Sequence, residues 1–149
     1  MARPVDQPPG RELYAHWVRL ATRWADNDCY GHVNNAIYYF YIDSVVNGYL
    51  IEAGGLVPST SPAVGIVIES HCRYARSFSY PQHIESGLRV TRIGNSSVTY
   101  DVGMFHEGEA EASVWGGFTH VFVDRMDQRP VTIPADIRAA LERILRVGA

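Results

Sequence analysis

The clearest alternation of apolar and polar positions along the chain lies between residues 63 and 74. Every second position there is mainly apolar, and the positions between them become more polar toward the end of the segment. The two sets are Val64, Ile66, Ile68, Ser70, Cys72 and Tyr74 against Gly65, Val67, Glu69, His71 and Arg73. A period of two is typical of a β-strand with one buried face, so this segment predicts a long strand.

Four further segments are rich in the β-branched and aromatic residues that favour strands. Short turns follow two of them, at Gly94-Asn95-Ser96 and at Glu107-Gly108-Glu109. Consecutive strands joined by such short links form an antiparallel sheet. The five predicted strands cover residues 13–25, 63–74, 83–93, 97–106 and 110–123.

Residues 35–53 show a different pattern, because their apolar side chains go most of the way round a helical axis. Such a helix is usually buried, so we expect other elements to wrap it. Gly54 and Gly55 end it. A second helix begins at Pro134, a residue favoured in the first helical turn. Its apolar residues form one stripe for packing on a surface, namely Ile137, Ala140, Leu141, Ile144 and Leu145.

The predicted order is one strand, the long helix, four strands and a short C-terminal helix. We therefore predict an α+β fold in which a curled antiparallel sheet of about five strands wraps the long central helix. A length of 149 residues suits one domain, which we place at residues 11–149. Residues 1–10 are polar and rich in proline, and we expect them to be a disordered lead-in rather than a signal peptide.

Composition narrows the class of protein further. A hydrophobic content of 46% with 19% charged residues fits an ordinary globular protein, and a net charge of −3 argues against nucleic-acid binding. No apolar run is long enough for a membrane span. Two isolated cysteines, Cys29 and Cys72, make a reducing cytoplasm the expected location. The six histidines do not fall at metal-binding spacing, so we expect neither a metal nor a cofactor.

The candidate chemistry lies between Trp24 and Tyr41, which reads Trp-Ala-Asp-Asn-Asp-Cys-Tyr-Gly-His-Val-Asn-Asn-Ala-Ile-Tyr-Tyr-Phe-Tyr. Here a strand delivers acidic residues into a tight turn, and the turn opens the long helix. A helix start offers unpaired backbone N–H groups and a partial positive charge. A carboxylate beside such donors is suited to attack on a carbonyl group.

Within this segment, Asp28-Cys-Tyr-Gly31-His-Val-Asn-Asn-Ala-Ile-Tyr38 resembles the motif of the 4-hydroxybenzoyl-CoA thioesterase family. That family of hotdog-fold thioesterases places Asp-x-x-Gly at the start of its central helix, with an aromatic residue a turn later. The His-Val-Asn-Asn stretch also resembles the acyl-carrier-protein thioesterases of plants. The order of elements resembles the hotdog fold over residues 13–123, so the resemblance implies that fold and a thioesterase activity.

Carried over residue by residue, the resemblance implies that Asp28 is the catalytic carboxylate, acting as nucleophile or as general base toward water. The backbone N–H of Asn35 matches the donor that polarises the thioester carbonyl. His32 matches a histidine of the acyl-carrier-protein branch and is a third catalytic candidate. The supporting residues are Gly31, Asn34 and Tyr38.

The same residues also have simpler structural interpretations. Asp28 is able to cap the turn, as aspartate often does, and His32 is able to serve as an ordinary turn residue. Asp26 is better suited to a structural role, pairing with Arg23 or with turn amides. Three arginines are candidates for binding the phosphates of coenzyme A, although strand arginines are also common on surfaces: Arg73, Arg76 and Arg89.

These observations favour an enzyme that hydrolyses an acyl-CoA or acyl-carrier-protein thioester to a carboxylic acid and a free thiol. Two alternatives stay open, a hotdog hydratase or dehydratase and a binding module for acyl-CoA or acyl carrier without turnover. An exposed sheet edge is usually covered, and the resemblance implies a homodimer or homotetramer with the site between subunits. The sequence leaves open the acyl group, the thiol carrier and the choice between nucleophilic and general-base attack.

Overall fold

The computed structural model describes residues 7–148. One antiparallel sheet of five strands, in the order β1-β3-β4-β5-β2, packs against a long helix, and a short helix follows the last strand. The predicted α+β hotdog architecture is therefore confirmed. The elements are β1 (His16–Ala21), α1 (Ile37–Glu52), β2 (Ala63–Tyr74), β3 (His83–Ile93), β4 (Ser97–Phe105), β5 (Val114–Asp124) and α2 (Ala135–Arg143).

One row of paired residues crosses the whole sheet and shows its register. His16 pairs with Leu88, Leu88 with Val102, Val102 with Gly116, and Gly116 with Cys72. Because side chains alternate between the two faces of a strand, this row and its second neighbours define the inner face, which holds the main core. Strand β2 lies at one edge of the sheet and β1 at the other.

The main core lies between this inner face and the two helices. Its fully buried large side chains come from α1, from the three central strands and from α2: Ile42, Leu50, Leu88, Tyr100, Phe122 and Leu141. Burying one such side chain contributes about 1.5–3 kcal/mol. The core therefore fixes α1 along its whole length and holds the N-terminal end of that helix beside the sheet.

Helix α1 is wrapped less completely than its sequence predicts. Tyr39, Phe40 and Ile51 are 39%, 67% and 44% exposed, on the side of the helix away from the sheet. A single sheet covers only one side of a helix, so the apolar residues on the other side stay uncovered within one chain.

The predicted strand over residues 13–25 is shorter in the structure. Strand β1 ends at Ala21, and Trp24–Asp26 forms a 3₁₀ turn instead. The buried carboxylate of Asp26 accepts hydrogen bonds from Arg23 and from Tyr41 of α1. These bonds bend the chain away from the sheet.

The predicted strand over residues 110–123 also begins later, at Val114. The N–H of Ala112 donates to the carbonyl of Pro9 in the N-terminal segment, and regular pairing with β4 starts only with the bond from Ser113 to Met104. The expected lead-in over residues 1–10 falls partly on residues 1–6, which lie outside the described residues. Residues 7–10 contact the remainder of the chain, and Gly10 forms a bridge with Glu111.

The N-terminal segment builds a second, smaller core on the outer face of the sheet. Tyr14 packs there with Phe105 and Ala112, and Leu13 and Trp115 border them.

Two glycines make room for this tyrosine. A Cβ atom at Gly87 would lie 2.7 Å from Tyr14, and a Cβ at Gly103 would lie 2.6 Å from its ring. The ring thus lies directly on the backbone of β3 and β4, and neither strand tolerates a side chain at that point.

Candidate active site

The turn that carries Asp28 is closed by backbone hydrogen bonds. The N–H of Asp28 donates to the carbonyl of His32 at 2.8 Å, and the N–H of Gly31 donates to the carbonyl of Asp28 at 3.0 Å. Gly31 has a φ of +81°, in the left-handed region that glycine adopts without steric cost. Gly31 therefore supports the site by allowing the chain to reverse there.

The carboxylate of Asp28 is half-buried, and only one of its oxygens is bonded within the described residues. Oδ1 accepts the N–H of Tyr30 at 2.9 Å, while Oδ2 accepts no hydrogen bond from residues 7–148. Burial is the main reason that the pKa of Tyr38 is raised, and the nearby charges of Cys72 and Asp28 add to it. Asp28 thus caps the turn with one oxygen and keeps the other free for chemistry beside Tyr38.

The backbone N–H groups at the start of α1 are only partly paired among residues 7–148. Asn34 is held at three points: its N–H donates to the carbonyl of Asp26, its side-chain Oδ1 accepts the N–H of Ala36, and its carbonyl accepts the N–H of Ile37, each at 2.9 Å. The N–H of Asn35 donates to no acceptor among residues 7–148. These caps delay the helix from the predicted residue 35 to Ile37, and they leave the Asn35 amide as a donor for a ligand.

Asp26 has the structural role that its sequence position suggested. It is fully buried, and its carboxylate accepts the backbone N–H and the guanidinium of Arg23 and the hydroxyl of Tyr41. Burial alone would raise the pKa of Asp26, but the hydrogen bonds from Arg23 and Tyr41 outweigh it and hold the pKa below its ordinary value. Asp26 therefore anchors the turn to α1.

His32 is exposed and holds the turn through its carbonyl rather than its ring. Its imidazole makes no hydrogen bond with residues 7–148. The ring is therefore available to a ligand, and its predicted catalytic role stays a prediction.

A segment that the sequence did not single out holds the Asp28 turn from the other side. The carbonyl of Phe78 accepts the N–H of Val33 at 2.8 Å, and the hydroxyl of Ser79 donates to the carbonyl of Gly31 at 2.9 Å. The N–H of Phe78 also donates to the hydroxyl of Tyr38 at 3.1 Å. No local pattern marks these residues, because their partners lie about 40 residues away in the chain.

The three candidate arginines do not form one cluster. Arg73 and Arg89 line the same cavity of about 700 Å³ on the outer face of the sheet, opposite to the face that packs against α1. Arg89 is largely buried and donates through Nε to Asp101 at 2.8 Å and through Nη1 to the carbonyl of Gly148 at 2.6 Å. Arg76 is exposed and lies 3.9 Å from Glu109. Arg89 is thus already used in holding the C-terminal segment to the sheet.

Neither a metal site nor a membrane-spanning helix is found in the described part of the chain. Among residues 7–148, no group of three or more His, Cys, Asp and Glu side chains could hold a metal ion. Over the same range, neither helix is long and apolar enough to cross a membrane.

The sequence model of the thioesterase-like superfamily matches residues 22–141. That span contains the Asp28 turn, all of α1 and strands β2 to β5. The chain therefore belongs to the thioesterase-like superfamily.

Solved structures share the fold over almost the whole chain. The PA5185 protein of Pseudomonas aeruginosa strain PAO1 is 48% identical, with a TM-score of 0.93 over 95% of this chain and 99% of that one. The BH1999 gentisyl-coenzyme A thioesterase is 17% identical, with a TM-score of 0.74 over 85% and 99%, and it shows the fold alone. By sequence, the uncharacterized protein YsmA of Bacillus subtilis (strain 168) is 21% identical over 108 residues, which are 70% of this chain and 73% of YsmA.

Proposed function

We propose that this protein is an acyl-CoA thioesterase, which adds water across the thioester bond and releases a carboxylic acid and a free thiol. One observation carries the proposal. Among residues 7–148, the turn that holds Asp28 with one unbonded carboxylate oxygen runs directly into the helix start where the Asn35 amide has no acceptor. A base or nucleophile and an oxyanion donor thus stand in one short rigid segment. Membership of the thioesterase-like superfamily supports the same reaction.

The chemistry has two forms that use the same groups. As a general base, Asp28 takes a proton from water, the resulting hydroxide attacks the carbonyl carbon, and the thiolate leaves and takes up a proton. As a nucleophile, Asp28 displaces the thiol to form a mixed anhydride, which water then hydrolyses. In both forms the Asn35 amide donates to the carbonyl oxygen as its negative charge develops.

The remaining candidates have supporting roles in this proposal. The exposed ring of His32 lies beside the catalytic turn, where it is able to contact the thiol end of the substrate. Tyr38 forms the wall next to Asp28. Arg73 and Arg89 line one cavity on the outer face of the sheet, and with Arg76 they stay the candidates for the coenzyme phosphates.

We further propose that the active protein is a homodimer joined along β2. This edge strand carries three exposed apolar residues in a row, Ile66, Val67 and Ile68, which are 41%, 48% and 61% exposed. Unpaired edges of this kind pair with another strand unless charges protect them. The end of β2 contacts the start of α1 through Tyr74, so pairing along β2 brings a second subunit next to the Asp28 turn.

The decisive test is Asp28→Asn, with Asp127→Asn as the matched control on an exposed turn after β5. We expect Asp28→Asn to lower kcat by about 10²–10⁴-fold, since it removes the base or nucleophile. Binding of a non-hydrolysable acyl-CoA thioether should stay unchanged, and Asp127→Asn should hydrolyse like the native protein. Thiol release is measured over short-chain, long-chain and aroyl-CoA thioesters and their acyl-carrier-protein counterparts.

Two outcomes contradict the proposal. Unchanged hydrolysis by Asp28→Asn would remove Asp28 from the mechanism. Binding without any hydrolysis by the native protein across the panel would instead favour the non-catalytic module.

A further inference from the structure

Tyr74, the last residue of β2, reaches across to the start of α1. Its hydroxyl donates to the carbonyl of Asn35 at 3.1 Å, a contact between residues 39 positions apart in the chain. Its ring lies 5.6 Å from the ring of Tyr38, so Tyr74 stands on the same side of the helix start as the wall beside Asp28.

The Asn35 carbonyl is open to this contact because α1 begins with a tight turn. The N–H of Ile37 donates to Asn34, and the N–H of Tyr39 donates to Ala36 at 3.2 Å. In a regular α-helix the N–H of Tyr39 would donate to Asn35 instead. The side-chain hydroxyl of Tyr74 takes the place of that missing partner.

This bond completes the fixing of the two peptide planes that flank the Cα of Asn35. The plane before Asn35 is held by the carbonyl of Asn34, which accepts the N–H of Ile37. The plane after it is held at both ends, by Asn34 Oδ1 on the N–H of Ala36 and by Tyr74 on the carbonyl of Asn35. With both planes fixed, the N–H of Asn35, which has no acceptor within the described range, has a single direction.

We propose that Tyr74 is a positioning residue: its hydroxyl fixes the peptide that follows Asn35, limits rotation about the Asn35 Cα, and so helps to hold the preceding peptide, whose N–H binds the oxyanion. This inference rests on the proposed thioesterase function. Burial and the neighbouring side chains of Cys72 and Tyr39 raise the pKa of Tyr74, so the hydroxyl keeps its proton and acts as a donor at neutral pH. Tyr74 also connects the edge strand β2, of which it is the last residue, to the candidate active site.

The test compares Tyr74→Phe with Tyr49→Phe. Each variant removes one tyrosine hydroxyl that donates to a backbone carbonyl. The Tyr49 bond, to Ala140 at 2.6 Å, lies about four turns further along α1. We expect Tyr74→Phe to lower kcat about tenfold with KM within twofold of native. Tyr49→Phe should lower the melting temperature and leave kcat within twofold.

A spectroscopic measurement tests the same inference without activity. In ¹H–¹⁵N spectra, the Asn35 amide signal should shift or broaden in Tyr74→Phe and stay in place in Tyr49→Phe. An unchanged Asn35 signal in Tyr74→Phe overturns the inference, and so does an equal loss of kcat in both variants. Failure of the proposed function would show separately, as full hydrolysis by Asp28→Asn or none by the native protein.

Discussion

Asp26 and Asp28 stand two positions apart in one turn and are held in opposite ways. Asp26 is fully buried with both oxygens bonded, whereas Asp28 is half-buried with one oxygen free. A carboxylate whose bonds are complete stabilises the fold, and one with a free oxygen is able to react. Aspartate thus serves as the anchor at position 26 and as the candidate catalyst at position 28, and the difference lies in the local hydrogen bonds.

At this scale we predict that Asp26→Asn destabilises the protein by about 2 kcal/mol at pH 7, because its amide group faces the donors of Arg23. The pKa of Asp26 is held below its ordinary value, so its contribution is complete above about pH 4 and is lost as pH falls through the lowered pKa. Urea unfolding at pH 7 and at pH 3 measures this.

The difference between native and variant should be large at pH 7 and should shrink at pH 3. Asp127→Asn, on an exposed turn, should unfold like the native protein at both values. A difference that stays constant with pH would show that the charge of Asp26 is not the source of the stability.

At the scale of elements, the long helix shows what the sequence predicts and what it misses. The end of the helix is predictable from the sequence, because Gly54 and Gly55 follow its C-cap residue and Gly55 adopts a φ of +72°. Its start is displaced by two residues, and β1 stops four residues early, because the buried pairing of Asp26 with Tyr41 reorganises the segment between them. The motif singled out Asp28 and Asn35 within this segment, and their catalytic roles stay predictions. The contacts from Tyr74 and Phe78 were not predictable, since no local pattern encodes a partner 40 residues away.

The helix start also allows the Asn35 amide to be tested apart from its side chain. We predict that Asn35→Pro, which deletes the N–H, lowers kcat by about 10²–10³-fold, as loss of an oxyanion donor does elsewhere. Asn35→Ala keeps the N–H and should retain most of the activity. Proline is tolerated near a helix start, and circular dichroism melts of both variants check that α1 still forms.

Equal activity of the two Asn35 variants would mean that the amide plays no part in the reaction. Loss of activity in Asn35→Ala alone would instead assign the role to the side-chain amide.

At the scale of the whole molecule, the single chain leaves apolar side chains exposed to solvent at two places. The β2 edge exposes Ile66, Val67 and Ile68, and the outer side of α1 exposes Phe40. A second subunit paired along β2 would cover the edge.

We predict a particle of about twice the 16.6 kDa chain mass by sedimentation velocity. Ile68→Lys places a charge on the pairing edge and should give monomers that have lost most hydrolysis. Met126→Lys adds the same charge at an even more exposed apolar site after β5 and should stay dimeric and active. A dimeric Ile68→Lys protein would place the interface elsewhere, and an active monomer would show that one chain contains the complete site.

The tyrosine seated on two bare glycines has a practical consequence for anyone who shortens or tags the chain. Cutting before residue 15 would uncover Phe105 and Trp115 and leave a flat stripe of naked backbone at Gly87 and Gly103. The shortened protein would expose apolar side chains and backbone on the outer face of the sheet. We expect it to aggregate through this face rather than through an edge strand. The leading residues thus act as a built-in cover, although they contribute no strand of their own.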